Sequence, residues 1–483
     1  MTAQSAKDST ELRSDFSHLI DGALVSSEKW LDVINPATGR IFARCPDADR
    51  QQLDQAVTAA RRAFAGWKQT SYEERAALLQ KMADAMEKNQ DEMGELLTLE
   101  QGKPLGQAKA EIGRGSGQLV GLSSIKIPVE IIADDEQKHV ELHYRPLGVV
   151  GIITPWNAPI NLALGPIASA LYTGNTIVLK PSPYTPLTTL KMGELMKDIF
   201  PKGVVNVLAG GDELGQWISE HPDIDKISFT GSIETGKKVM ASAAKTLKRI
   251  TLELGGNDPA IVLEDVDPKA VAKKLFFAGT VNSGQVCMAV KRIYAHEKIY
   301  DELCSALVEE AHAAKLGSGL EPDTVLGPIQ NKMQYEKIIG ILDDTREAGA
   351  KILAGGEIPK DSGYFIPPTI VTDLKEDSRL VSEEQFGPII PVLKFSDPED
   401  AIARANHTDY GLCGSVWTND LKRGAEIAAR LEVGTAWVNQ HRATAPNIPF
   451  GGAKQSGMGR QYSIIGLKGY MEPLVLSIAK QGL

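Results

Sequence analysis

Between residues 50 and 67, Leu53, Val57, Ala60, Phe64 and Trp67 recur at the spacing of one helix face. Strong helix formers continue from Glu73 to Leu99, with Gly94 as the weak point. Residues 127–150 read differently. Two extended runs flank the polar turn Ala133–Lys138, which predicts a hairpin. From about 147 to 262, short β-branched runs (GVVGIIT, NTIVLK, GVVNVLA, KISFTG, PAIVL) alternate with helical stretches such as Pro186–Phe200 and Thr235–Lys248. Helices are predicted again over Pro268–Ala278, Ile299–Lys315 and Met333–Ala348. Alternation of this kind predicts an α/β fold, with parallel strands covered by helices on both faces.

Composition narrows the function. At roughly 150 residues per domain, 483 residues suggest about three units. The net charge of −10 disfavours nucleic acid and anionic membranes as partners. No apolar run approaches the ~18 residues of a membrane span, and the polar N-terminus MTAQSAKDSTELRSDF shows no secretory signal. Cys45, Cys287, Cys304 and Cys413 form no CxxC pair. Free thiols in a reducing, cytoplasmic setting are expected, with no metal site.

Four places carry candidate chemistry. No GxGxxG stands between a strand and a helix, and GRGSG at 113–117 lies in a helical neighbourhood, so it reads as structural. The segment from Ser228 through Phe229, Gly231, Ser232 and Thr235 to Gly236 leaves a strand and opens a helix. Its free N–H groups suit a pyrophosphate, although an ordinary strand–turn–helix junction looks the same. Cys287 follows Asn-Ser-Gly-Gln-Val, a setting for either a nucleophile or an inert core thiol. Glu253, in LELGG, is a general base if burial raises its pKa, or an edge-strand carboxylate facing water. Asn157, in TPWNAP, either donates to a developing oxyanion or caps the following helix.

Taken together, TPWNAP, VLKPS, FTGS, LELGG, GQVC, EEQFGP and PFGGAKQSGMGR stand in the order and spacing of the NAD(P)-dependent aldehyde dehydrogenase superfamily. The resemblance runs from about residue 20 to 475. It implies an aldehyde dehydrogenase-like fold: a Rossmann-like cofactor domain (1–122 and 145–254), an α/β catalytic domain (255–453) and a small β oligomerisation element (123–144 and 454–483). It implies a homo-oligomer, dimer or tetramer. It places the nucleophile on Cys287, the oxyanion donor on Asn157 and the hydrolytic base on Glu253.

For the cofactor, the resemblance points to Lys180 at the adenosine ribose, and to Gly211 and Gly215 near the adenine. Phe229, Gly231, Ser232 and Thr235 fall at the diphosphate, and Glu384 and Phe386 at the nicotinamide ribose. Thr154 and Trp156 flank the same cleft. Many NAD-preferring relatives carry a Glu three residues after the lysine, where this chain has Pro183. NAD is therefore expected as cofactor, with NADP tolerated more than usual.

Ala158, Leu162, Gly165 and Thr444 stand where many relatives carry larger residues, which suits bulky or aromatic aldehydes; Phe450 is a further substrate-site candidate. Arg442 either pairs an acidic substrate group or is solvated in its loop. Two other functions compete with hydrolytic oxidation of an aldehyde to its acid. A CoA-acylating semialdehyde dehydrogenase generally lacks the base that Glu253 matches. A non-catalytic protein on the same fold tends to lose the nucleophile or the base.

Overall fold

The computed structural model describes residues 13–360 and 363–480. Its first sheet has eight strands. The central five, in spatial order Arg249–Glu253, Lys226–Thr230, Val149–Ile153, Thr176–Lys180 and Val205–Val207, are parallel. Four of them (Val149–Ile153, Thr176–Lys180, Val205–Val207 and Lys226–Thr230) are buried at every position, as a sheet covered by helices on both faces requires. Short antiparallel strands finish both sides: Gly457–Met458 beside Arg249–Glu253, and His18–Ile20 with Ala23–Val25 beyond Val205–Val207.

The strand Val149–Ile153 sits in the middle of this order. The next two strands in the chain lie on one side of it, and the two after those lie on the other. Such a reversal opens a crevice at the carboxyl ends of the strands. Thr154–Asn157 and Gly231–Ser232 follow those ends directly.

A seven-stranded sheet forms the second half: Lys351–Ala354, Thr369–Thr372, Ile389–Phe395, Val290–His296, Asp258–Val262, Cys413–Trp417 and Thr435–Val438. All its pairs are parallel except the first. PAIVL therefore opens the second sheet rather than closing the first. The predicted hairpin forms from Glu130–Asp134 and Lys138–Pro146, and Met471–Ala479 completes it as a three-stranded sheet.

Two expectations need correction. The helix break falls at Asn89, not at Gly94. Tyr72–Lys88 ends there, the Asn89 amide donates to the Ala85 carbonyl at 2.7 Å, and Gln90–Gln101 begins. Gly94 instead lies inside that second helix, where a Cβ would come within 2.8 Å of Lys109 Cγ on the neighbouring helix Leu105–Ser123. Likewise, the C-terminal segment does not join the small sheet at 454. Gly457–Met458 pairs with Leu252 and Glu253 at the side of the first sheet, and the Tyr470 hydroxyl reaches Ser228 Oγ at 3.2 Å, so only Met471–Ala479 of this segment enters the small sheet. Among the described residues no helix is long and apolar enough to cross a membrane.

Candidate active site

Cys287 is held by a backbone that only tight local contacts can impose. Asn282, Ser283 and Gly284 all take positive φ, at 53°, 55° and 74°. A Cβ on Gly284 would stand 2.2 Å from the Gly387 carbonyl oxygen, so the loop after EEQF presses against GQVC. A Cβ on Gly256 would stand 2.6 Å from the Cys287 carbonyl oxygen, and one on Gly255 2.3 Å from Glu384 Oε2. Three motifs far apart in sequence thus interlock through missing side chains. Lys291 closes the arrangement, donating to the Val286 carbonyl at 2.6 Å and lying 3.7 Å from Glu384.

Asn157 is buried just past the strand Val149–Ile153. Its side-chain amide donates to the Gln285 carbonyl at 2.8 Å, two residues before the thiol. Its own carbonyl accepts from Lys103 Nζ and Asn282 Nδ2, each at 2.9 Å. The helix Pro159–Tyr172 has no side-chain cap, so the capping role is not the one Asn157 plays. Its amino-terminal amides go instead to Glu111: Ile160 and Asn161 donate to one carboxylate oxygen at 3.0 and 3.2 Å, while the other pairs with Lys103. One Asn157 N–H is spent on Gln285, and the second has no partner among the described residues. The Cys287 backbone N–H likewise finds no acceptor among them.

Both titratable groups are poised against ionisation. Burial pushes the Cys287 thiol up to about 12, against the pull of Lys291 and with a further push from the Glu384, Asp258 and Glu253 charges. Burial raises the Glu253 carboxyl well above its usual range, opposed by Arg460. Both Glu253 oxygens are buried without a hydrogen-bond partner. Such a carboxyl is costly to the fold and strongly basic once ionised.

A cavity of about 650 Å³ opens beside Cys287. Asn157, Ala158, Leu162, Arg442 and Thr444 line it, as do residues not singled out in the sequence: Arg114, Gln118, Phe277 and Tyr462 among them. Glu253 is not among the residues that line it. Arg442 is half-buried on the wall, not solvated in its loop. Gly165 and Phe450 do not line the cavity. The space that Gly165 leaves is taken by Tyr462, whose ring would be 2.9 Å from a Cβ there, and Phe450 is buried with its ring 6.3 Å from the same tyrosine. Tyr462 comes from far down the chain, and its hydroxyl accepts from Gln118 at 3.0 Å. GRGSG lies inside the helix Leu105–Ser123, where a Cβ on Gly115 would meet Leu164 at 2.4 Å. Its Arg114 and Gly117 nevertheless reach the cavity.

The crevice of the first sheet holds the remaining candidates. Lys180 is buried, with its ammonium 3.1 Å from the Pro181 carbonyl oxygen. A Cβ on Gly215 would come within 3.7 Å of the Lys180 chain, and Gly211 caps the helix Asp212–Glu220. Ser232 caps Ile233–Ala244 by accepting from the Thr235 N–H at 3.2 Å. Gly231 packs on the Phe229 ring. Thr154 Oγ1 is buried and unpartnered. Trp156 and Phe386 meet edge to face at 5.3 Å, and Glu384 accepts from the Gly256 N–H at 3.1 Å.

Known proteins resemble this chain along nearly its whole length. Residues 24–475 match the model of the aldehyde dehydrogenase family. Aldehyde dehydrogenase LUC3 of a Fusarium species is 40% identical over 467 residues, 96% of this chain and 99% of that one. Betaine aldehyde dehydrogenase of Bacillus subtilis is 40% identical over 470 residues, 94% and 95% of the two chains. The NAD+ complex of a Bacillus cereus aldehyde dehydrogenase superposes with a TM-score of 0.94 at 38% identity, covering 96% of each chain. The chain belongs to the aldehyde dehydrogenase family.

Proposed function

We propose that this aldehyde dehydrogenase oxidises bulky aldehydes to free carboxylic acids through a thioester on Cys287. The observation that carries the reading is the meeting of a thiol with two unspent N–H donors, backed by a buried carboxylate whose oxygens have no other partner. Cys287 loses its proton to solvent, and the thiolate bonds to the aldehyde carbon. The former carbonyl oxygen, now anionic, lies between the Asn157 amide and the Cys287 N–H.

The crevice fits a dinucleotide, since among the described residues Thr154 Oγ1 is an orphaned buried donor and Lys180 has only a backbone carbonyl as partner. Lys180, Ser232 and Glu384 would hold it, with Trp156 and Phe386 beside its nicotinamide. When bound, NAD supplies the acceptor for the aldehyde hydride. Glu253 then takes a proton from water as that water attacks the thioester carbon, the C–S bond breaks and the acid leaves. Glu130–Asp134, Lys138–Pro146 and Met471–Ala479 form the contact between copies in a homo-oligomer.

A CoA-free assay with NAD and benzaldehyde tests the chemistry. Free benzoate is the expected product. Glu253→Gln is expected to accumulate a benzoyl adduct on Cys287, visible by intact mass, and Cys287→Ser to form neither adduct nor acid. An E253Q enzyme that releases acid at the wild-type rate would sink the role given to Glu253.

A further inference from the structure

Five acidic or basic side chains stand on the wall of the cavity beside Cys287: Lys103, Glu111, Arg114, His441 and Arg442. Three are accounted for. Lys103 and Glu111 form a buried ion pair, and Glu111 also takes two backbone N–H groups. His441 turns into the core, with Nδ1 2.9 Å from Ser415 Oγ and Nε2 3.6 Å from Asp258. Arg114 and Arg442 remain, and neither meets a carboxylate or a carbonyl of any described residue. The Arg442 Nε is buried with no partner, and its guanidinium sits 5.9 Å from the centre of the Phe277 ring. Burial, and then the neighbouring Arg114 charge, bring Arg442 down to about 10.

Arg442 is desolvated beside the exposed Arg114, two like charges on one wall repel, and no described residue supplies an anion to either. The chain as a whole carries −10, so this positive patch is local to the cavity. The rest of the wall carries no charge and mixes the apolar Leu162, Phe277, Val281, Met288 and Pro446 with polar side chains such as Gln118, Asn161 and Thr444. An occupant is therefore an aldehyde with its carbon at Cys287, an uncharged body along this wall and an anion for the arginines. We propose that the preferred substrates are aldehydes bearing a carboxylate at their far end, held by Arg114 and Arg442. The inference rests on reading Cys287 as the nucleophile. Guanidinium forks match carboxylates in shape as well as charge.

The test compares 4-formylbenzoate, benzaldehyde and a para-trimethylammonio benzaldehyde, which differ only in the charge at the far end. Wild-type kcat/KM is expected to be highest for the carboxylate and lowest for the cation. Arg442→Met and Arg114→Met should each lower the 4-formylbenzoate to benzaldehyde ratio about 10- to 100-fold, mainly through KM, as the loss of a charge-assisted hydrogen bond implies. Arg442→Lys should restore part of it. Equal kcat/KM for the anionic and neutral aldehydes, or arginine variants that lose both alike, overturns the proposal while leaving the thioester chemistry intact. A second measurement is independent of turnover. Calorimetry with terephthalate, the dicarboxylate product, on Cys287→Ser protein should show binding that weakens in the arginine variants. No binding there overturns the proposal even if every aldehyde is oxidised, and arginine-dependent binding without any turnover supports it while defeating the reading of Cys287.

Discussion

Cys287, Asn157 and Glu253 were legible as candidates because their motifs are local: each glycine in LELGG and GQVC is needed where another backbone or side chain presses against it. Arg114 and Tyr462 were not. Nothing in GRGSG marks its arginine as facing a cavity, and Tyr462 reaches Gln118 only because distant segments fold together. Pro183 was legible as a missing carboxylate, but its consequence depends on neighbours the sequence does not place. Burial lowers Lys180 to about 8, while the Asp212 and Asp47 charges oppose that shift. Negative charge is thus present near Lys180 even without a glutamate at 183. NAD is accordingly expected to be preferred, with NADP behind it in kcat/KM by less than about a thousandfold, roughly 4 kcal/mol. Asp212→Asn should narrow that gap. A gap beyond a thousandfold, or one that Asp212→Asn leaves unmoved, counts against electrostatic control at this end of the crevice.

Among the elements, the parallel strands announced themselves as β-branched runs, since both faces are buried. The edge strands did not. Ala23–Val25 and Gly457–Met458 are two or three residues long and carry no period to detect. The short strand His18–Ile20, next to the Ala23–Val25 edge, has a consequence for pH. The His18 side chain is fully buried, its Nδ1 accepts from the Ala209 N–H at 3.2 Å, and its Nε2 lies 2.9 Å from Ser27 Oγ. With Nδ1 accepting, the proton sits on Nε2 and the ring is neutral. Burial lowers its pKa from 6.5 to about 4. Between those values the unfolded chain takes up a proton that the folded chain refuses. The stabilisation is therefore complete above pH 6.5 and is lost as the pH falls toward 4, by roughly 3 kcal/mol. Denaturation midpoints of wild type and His18→Gln, at pH 7.0 and 4.5 and one protein concentration, measure this share. The wild type should lose more between the two pH values, and parallel losses would show that His18 does not carry it.

For the whole molecule, the two large sheets hide their apolar faces under helices, and the small sheet does not. Ile131, Ile132, Val475, Leu476 and Ile478 are all exposed there, Val475 at 62%. Both outer strands, Glu130–Asp134 and Met471–Ala479, also leave one edge without a partner among the described residues. An apolar sheet with open edges is either a liability or an interface. A second copy of the same chain is the simplest cover, because symmetric pairing lets one patch satisfy itself. Hydrogen bonds along an open edge would extend the sheet across the two copies. The wild type is therefore expected to be a dimer or larger by light scattering at micromolar concentration. Ile132→Lys combined with Val475→Lys should give monomers that keep the circular dichroism of the parent, since neither side chain is part of a core. A wild type that is already monomeric, or a charged double variant that stays assembled, would place the contact elsewhere on the surface.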